Sequence, residues 1–232
     1  LDDVPLLYQV HGFNTSAAMK LFRPKDAYRF GGGGRGGGGG RGAAPGIGEN
    51  PPAGAQIAFW LKDRPKNDVT IEFVDAAGKI VNKFSSKEQP RPQAPAALAE
   101  EEENPFRNPP PARVAANPGL NRFTWNLRWQ DAATFPGMIL WAGATIGPRV
   151  APGRYTVKLT SDGQSQSDTF EVKKDPRLDT TPDDYARQLS LSLQVRDKLT
   201  ETNEAVIRIR ELRRQLDAYA NRDSKKVADA AH

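Results

Sequence analysis

The 232-residue sequence predicts an immunoglobulin-like antiparallel β-sandwich followed by a long α-helix or helical hairpin, with an extended N-terminal strap. Three observations carry this. Between residues 55 and 174 apolar residues recur with a period of two, the spacing of half-buried strands. Gly, Pro and Asp-Gly turns separate these runs, and no helical pattern falls between them. Beyond Asp175-Pro176 the period lengthens to that of a helix.

Ile57, Phe59 and Leu61 alternate in AQIAFWL, and Val69, Ile71 and Phe73 alternate in VTIEFV. Asp75-Ala76-Ala77-Gly78 reads as a turn, and Ile80 to Phe84 returns as the second arm of a hairpin. GLNRFTWNLRW is the cleanest strand. Phe123, Trp125, Leu127 and Trp129 fall on one face, with Arg122, Thr124, Asn126 and Arg128 on the other. Residues 132–150 are apolar but broken by Gly and Pro. Tyr155, Val157 and Leu159 share a face, Asp162-Gly163 turns the chain, and Phe170 and Val172 close the last strand. Without the insertion at 85–118 about 86 residues remain, a usual size for an immunoglobulin-like domain. Neither the Cys pair nor the tyrosine corner of antibody domains is visible.

The boundaries follow from composition. Residues 1–30 read as an extended strap, with Val4 to Val10 as a short strand and Leu21 to Pro24 extended, because Pro disfavours helix just before it. Residues 31–54 are a Gly/Pro-rich linker, and in GGGGRGGGGGRG ten of twelve residues are Gly. Residues 85–118 hold eight Pro and the acidic run Glu100 to Glu103, a long exposed insertion of disordered character.

Residues 175–232 form the helical segment. Thr181 is a good N-cap, Pro182 suits the first turn, and Asp183 and Asp184 favour the positive end of the helix dipole. Val195, Leu199, Val206, Ile209, Leu212, Leu216 and Tyr219 form a coiled-coil-like stripe, with polar Thr202 in its one long gap. A helix from 182 to 218 is about 55 Å long. A sandwich of this size spans only about 35–40 Å by compact-domain scaling, so the stripe calls for a partner. Asn221 to Ser224 reads as a turn, and Lys225 to Ala231 as the start of a second helix.

Composition excludes several function classes. There is no Cys, so disulfides, thiolate metal sites and Cys nucleophiles are out. The two His, His11 and His232, cannot build a His-based metal cluster. No catalytic constellation and no cofactor site is expected. The net charge of +5 is mixed in sign along the chain, so nucleic acid is not expected as a partner. No apolar run reaches the length of a membrane span. Residue 1 is Leu and no signal peptide is visible, so a processed product or a fragment is expected.

The segments ENPPAGAQIAFWL, VTIEFVDAAGKIV, GLNRFTWNLRW, FPGMILWAG and APGRYTVKLTSDG resemble the C-terminal region of secreted bacterial proteins with a sortilin-like, BNR-repeat β-propeller, often labelled glycosyl-hydrolase-like. The middle block also resembles the immunoglobulin-like domain of flagellar hook-capping proteins. LQVRDKLTETNEAVIRIRELRRQL is similar to the helices that follow the sandwich in the propeller family, and LFRPKDAYRF to the strap leaving the propeller. The resemblance implies an upstream propeller and a secreted or periplasmic location. No Asp-box repeat occurs in this chain, and no residue here maps onto a sialidase-type catalytic role.

These readings weigh against plainer ones. Trp60, Trp125, Trp129 and Trp141 suit a sugar-stacking platform, but alternation buries Trp125 and Trp129. Trp60 lies opposite Ile57, Phe59 and Leu61, so it is expected exposed or covered by the helix. Capping accounts for Asp183 and Asp184. Consecutive acids on a flexible loop cannot fix six or more oxygens around Ca²⁺, which leaves Glu100 to Glu103 a solvated run. The Gly run lacks the interleaved aromatics of an RNA-binding segment. The expected function is therefore a non-catalytic structural or protein-interaction module. Its partner is either the upstream propeller or other subunits, through Trp60 or the stripe Val195, Leu199, Val206, Ile209, Leu212 and Leu216. A carbohydrate-binding accessory domain is the alternative, and RNA binding through the Gly/Arg run is third.

Overall fold

The computed structural model describes residues 4–30, 54–87, 112–138, 140 and 143–230, with 221–230 as helix backbone alone. The run Gly31 to Gly42, the acids Glu100 to Glu103 and Trp141 lie outside the described residues. The described elements are α1 (Val4–Val10), β1 (Met19–Leu21), β2 (Ala27–Arg29), β3 (Ala55–Leu61), β4 (Thr70–Asp75), β5 (Ile80–Ser85), β6 (Gly119–Trp125), β7 (Gly153–Ser161), β8 (Gln164–Lys174) and α2 (Pro182–Ala230).

Two compact units divide the chain. The first holds every strand, α1, and α2 as far as Leu191. Its strands form two sheets, ordered β1-β3-β6 and β2-β8-β7-β4-β5. All pairings are antiparallel except β2 with β8, which is parallel. The alternation read from sequence is the burial pattern observed. Ile57, Phe59 and Leu61 are buried, as are Val69, Ile71 and Phe73, and Tyr155, Val157 and Leu159. Aromatic rings join the two sheets: Phe73 of β4 stacks on Trp125 of β6 with centroids 4.2 Å apart and planes 14° apart. Phe123 and Phe170 close around the same ring pair.

The turns follow residue chemistry. Asp162 (φ 46°) and Gly163 (φ 81°) both lie in the left-handed region, which a two-residue hairpin between right-twisted strands requires. The Asp162 carboxylate also accepts from Asn67 N at 2.8 Å and Lys66 N at 3.2 Å, tying this turn to the β3–β4 connection. Those amides hold its carboxyl below the usual range.

Four features differ from expectation. Val4–Val10 is a helix, not a strand. Pro5 sits in the first turn, where its missing N–H costs no hydrogen bond, and Gly12 (φ 82°) follows the end. The N-terminal segment therefore supplies a helix and the strands β1 and β2, which join the two sheets, rather than an extended strap alone. The strand through Trp125 ends there: Leu127 turns to φ 57°, although Leu127 and Trp129 stay buried as the alternation requires. The tyrosine corner is present after all. The Tyr155 hydroxyl at the start of β7 donates to Ala151 O at 2.7 Å, four residues upstream. Burial and the nearby Asp75 push its pKa up to about 12, so it remains a donor at ordinary pH.

The C-terminal end of the predicted insertion is anchored through one buried residue, although Ala112, Arg113, Asn117 and Pro118 are exposed. Val114 is buried and its N–H reaches Ser85 O at 3.1 Å, while Arg113 Nε reaches Ser86 O at 2.6 Å. Asp68 anchors the other end of that excursion. Its carboxylate accepts from Ser85 Oγ and Ser86 Oγ at 2.6 Å each, Ser86 N at 3.0 Å and Lys87 N at 3.1 Å. Burial opposes the charge, but these donors outweigh it and hold the carboxyl below its usual range. A carboxyl lowered in the folded state contributes stability above its unfolded pKa, near 3.9, and loses it as pH falls through the folded value. Asp68→Asn should therefore cost about 1–2 kcal/mol at pH 7. In urea titrations at several pH values, the gap between the two proteins should close below about pH 4. A gap independent of pH would show that the charge contributes nothing.

Candidate functional site

Helix α2 begins as a reciprocal cap. Thr181 Oγ1 accepts from Asp184 N at 3.2 Å, and the Asp184 carboxylate accepts from Thr181 N at 3.1 Å and Thr181 Oγ1 at 2.6 Å. Those bonds lower the Asp184 pKa. The capping role read for Asp184 is what the geometry shows. Within the first unit the opening turns are anchored by Tyr185, which is buried with Arg29 stacked 4.5 Å over its ring. Gln188 accepts from the same guanidinium at 2.8 Å.

The helix runs unbroken to Ala230, through the turn expected at Asn221 to Ser224. It is one helix of 49 residues rather than a hairpin.

In the second unit, residues 131–147 pack on the helix from Ser192 onward. The contacts that hold them are polar. Thr200 Oγ1 accepts from Ala133 N at 3.2 Å, and Asn203 Nδ2 donates to Ala133 O at 2.6 Å. Arg210 Nη1 reaches Pro136 O at 2.7 Å, and its guanidinium lies 4.6 Å over the Phe135 ring. Asn203 is buried.

The predicted apolar stripe lies elsewhere on the helix. At about 100° per residue, Asn203 and Thr200 sit about 120° and 180° round from Ile209. Val195, Ile209, Leu212, Leu216 and Tyr219 are exposed, Ile209 at 64% and Leu216 at 68%. Leu199 and Val206 are half-buried. Ion pairs within the helix flank the stripe: Lys198 with Glu201 at 2.6 Å and Arg214 with Glu211 at 2.7 Å. Each lowers the pKa of its glutamate. The polar grip of Thr200, Asn203 and Arg210 went unread in the sequence. A Thr or Asn inside a helix looks like a solvated position, and no spacing rule marks its partner as a backbone amide or carbonyl.

Trp60 is half-buried. Its cover is not the long helix but Phe13, which meets it edge-on at 5.8 Å and Phe22 at 5.4 Å. The indole Nε1 is buried without a hydrogen-bond partner. Sugar platforms offer a wet polar edge, and the buried Nε1 of Trp60 does not supply one.

An open, polar hollow of about 390 Å³ is lined by Arg64, Asn67, Ser86, Arg113 and Asn117 among others. Of its lining, Ser86 donates its hydroxyl to the Asp68 carboxylate at 2.6 Å. Among the described residues no group of three His, Asp or Glu is placed to hold a metal ion. No described helix is long and apolar enough to cross a membrane.

The fold and candidate site define a class: a mostly antiparallel two-sheet β protein with one long C-terminal helix carrying an exposed apolar stripe. Against known proteins, no family model, no curated protein and no solved structure matches the chain.

Proposed function

We propose that the chain is a non-catalytic protein-interaction module, built on an immunoglobulin-like sandwich, that acts through the apolar stripe of α2. One observation carries this reading. The helix already grips residues 131–138 with a polar face, and its apolar residues are left exposed. Burying a Leu or Ile side chain is worth about 1.5–3 kcal/mol, so a stripe of four such residues in water is costly to leave uncovered. The immunoglobulin-like assignment is supported by the three-plus-five strand order, the parallel pairing of β2 with β8, and the corner formed by Tyr155. Resemblance to the region that follows a secreted propeller supports a periplasmic or secreted setting within a larger assembly. The covered Trp60 does not favour the carbohydrate alternative.

Ile209→Asp is the test. It places a carboxylate at the centre of the stripe, where association would bury it unpaired. Sedimentation of wild type and variant at matched concentration should show association lost, with helicity by circular dichroism unchanged. A wild type that is monomeric, and that Ile209→Asp alters in neither mass nor helicity, would remove the basis for the reading.

A further inference from the structure

We infer that the occupant of the stripe is a second copy of this chain, its helix laid antiparallel to the first. This rests on the interaction reading above and names its partner. Charge is the argument. Residues 192–204 carry three acids and two bases, whereas residues 205–219 carry four bases and two acids. Two copies running in opposite directions set the acidic stretch of each against the basic stretch of the other.

Flanking positions sharpen the choice. With Val195, Thr202, Ile209 and Leu216 as one seam position and Leu212 and Tyr219 as the other, Glu201 and Arg208 fall on the same flank, seven residues apart. In an antiparallel pair these flanks meet, so Glu201 of each copy faces Arg208 of the other, twice by symmetry. That offset closes Val195 on Leu212 at both ends, sets Ile209 against Lys198, whose ammonium is held at the edge of the seam by Glu201, and sets Thr202 against Ala205 near the centre. Parallel, in-register helices would instead bring Arg208 against Arg213 of the other copy, a like-charge contact. On the opposite flank Leu199 and Val206 are half-buried and face each other, and Arg213 falls at its end against Ser192.

The absence of Cys makes the test direct, because an introduced thiol has no competitor. Full-length Val195→Cys and Leu212→Cys chains, oxidised separately and then as an equimolar mixture, report orientation. The mixed Val195→Cys/Leu212→Cys disulfide should predominate in the mixture, with little self-linkage in either variant alone. Charge supplies an independent arm. Arg208→Glu should weaken the dimer about tenfold in sedimentation, and Glu201→Arg added to it should restore the affinity. Efficient self-linkage of Val195→Cys, in a dimer that Leu212→Asp still breaks, would overturn the antiparallel arrangement and leave the interaction reading standing. A monomer at every concentration, unmoved by Leu212→Asp, would overturn both. Failure of Glu201→Arg to restore the Arg208→Glu dimer would overturn the pairing that sets the offset.

Discussion

Trp125→Ala should cost about 3–5 kcal/mol, the range for removing a large buried aromatic. The ring is fully buried at the last position of β6, stacked on Phe73 from the opposite sheet, with Tyr155 at 5.7 Å and Phe170 at 6.3 Å. Its Nε1 also donates to Arg128 O at 3.0 Å, which holds the chain as it leaves the strand. Truncation would therefore empty the space between the sheets and leave that carbonyl to its bond from Asn82 Nδ2 at 3.1 Å. Thr124, one residue earlier, is exposed on the outer side of β6, and Thr124→Ala should cost less than about 1 kcal/mol. Chemical denaturation of both variants measures the difference. Equal losses at the two positions would contradict the register of β6.

Gly54→Ala should also be severely destabilising, for a backbone reason. Gly54 has φ 128°, a conformation that costs a side-chain-bearing residue on the order of 1–3 kcal/mol. A Cβ there would also stand 2.2 Å from the main-chain oxygen of Trp125, and a carbonyl in a paired strand cannot rotate aside. The start of β3 would have to separate from the end of β6. The expected cost is about 2–4 kcal/mol, strain and lost pairing together. Amide exchange should show the loss concentrated at the Ala55–Trp125 end of the pair. A variant as stable as wild type would mean that this end of β3 yields freely.

Strands whose apolar residues alternate, such as β3, β4 and β7, were legible because burial on one face imposes a period of two. The stripe of α2 was legible for the same reason, at the helical period. The short helix α1 was not: seven residues are too few to show a period, and Val at both ends favoured a strand. The turn expected at Asn221 to Ser224 failed differently. Asn221, Asp223 and Ser224 are poor helix formers, but each costs only about 0.5–0.7 kcal/mol, and neither Gly nor Pro stops the helix there. Tyr155 and Asn203 were missed because each is partnered by a backbone carbonyl, which leaves no trace in side-chain patterns.

The two margins of the five-stranded sheet carry one more consequence. At one margin, two carbonyls of β5 are taken: Val81 O accepts from Gln130 N at 3.0 Å and Ser85 O from Val114 N at 3.1 Å. At the other, β2 is only three residues long. An exposed row of unpaired amides and carbonyls templates strand addition between molecules, and a short or occupied margin denies it. Strand addition between molecules is therefore disfavoured at these two margins.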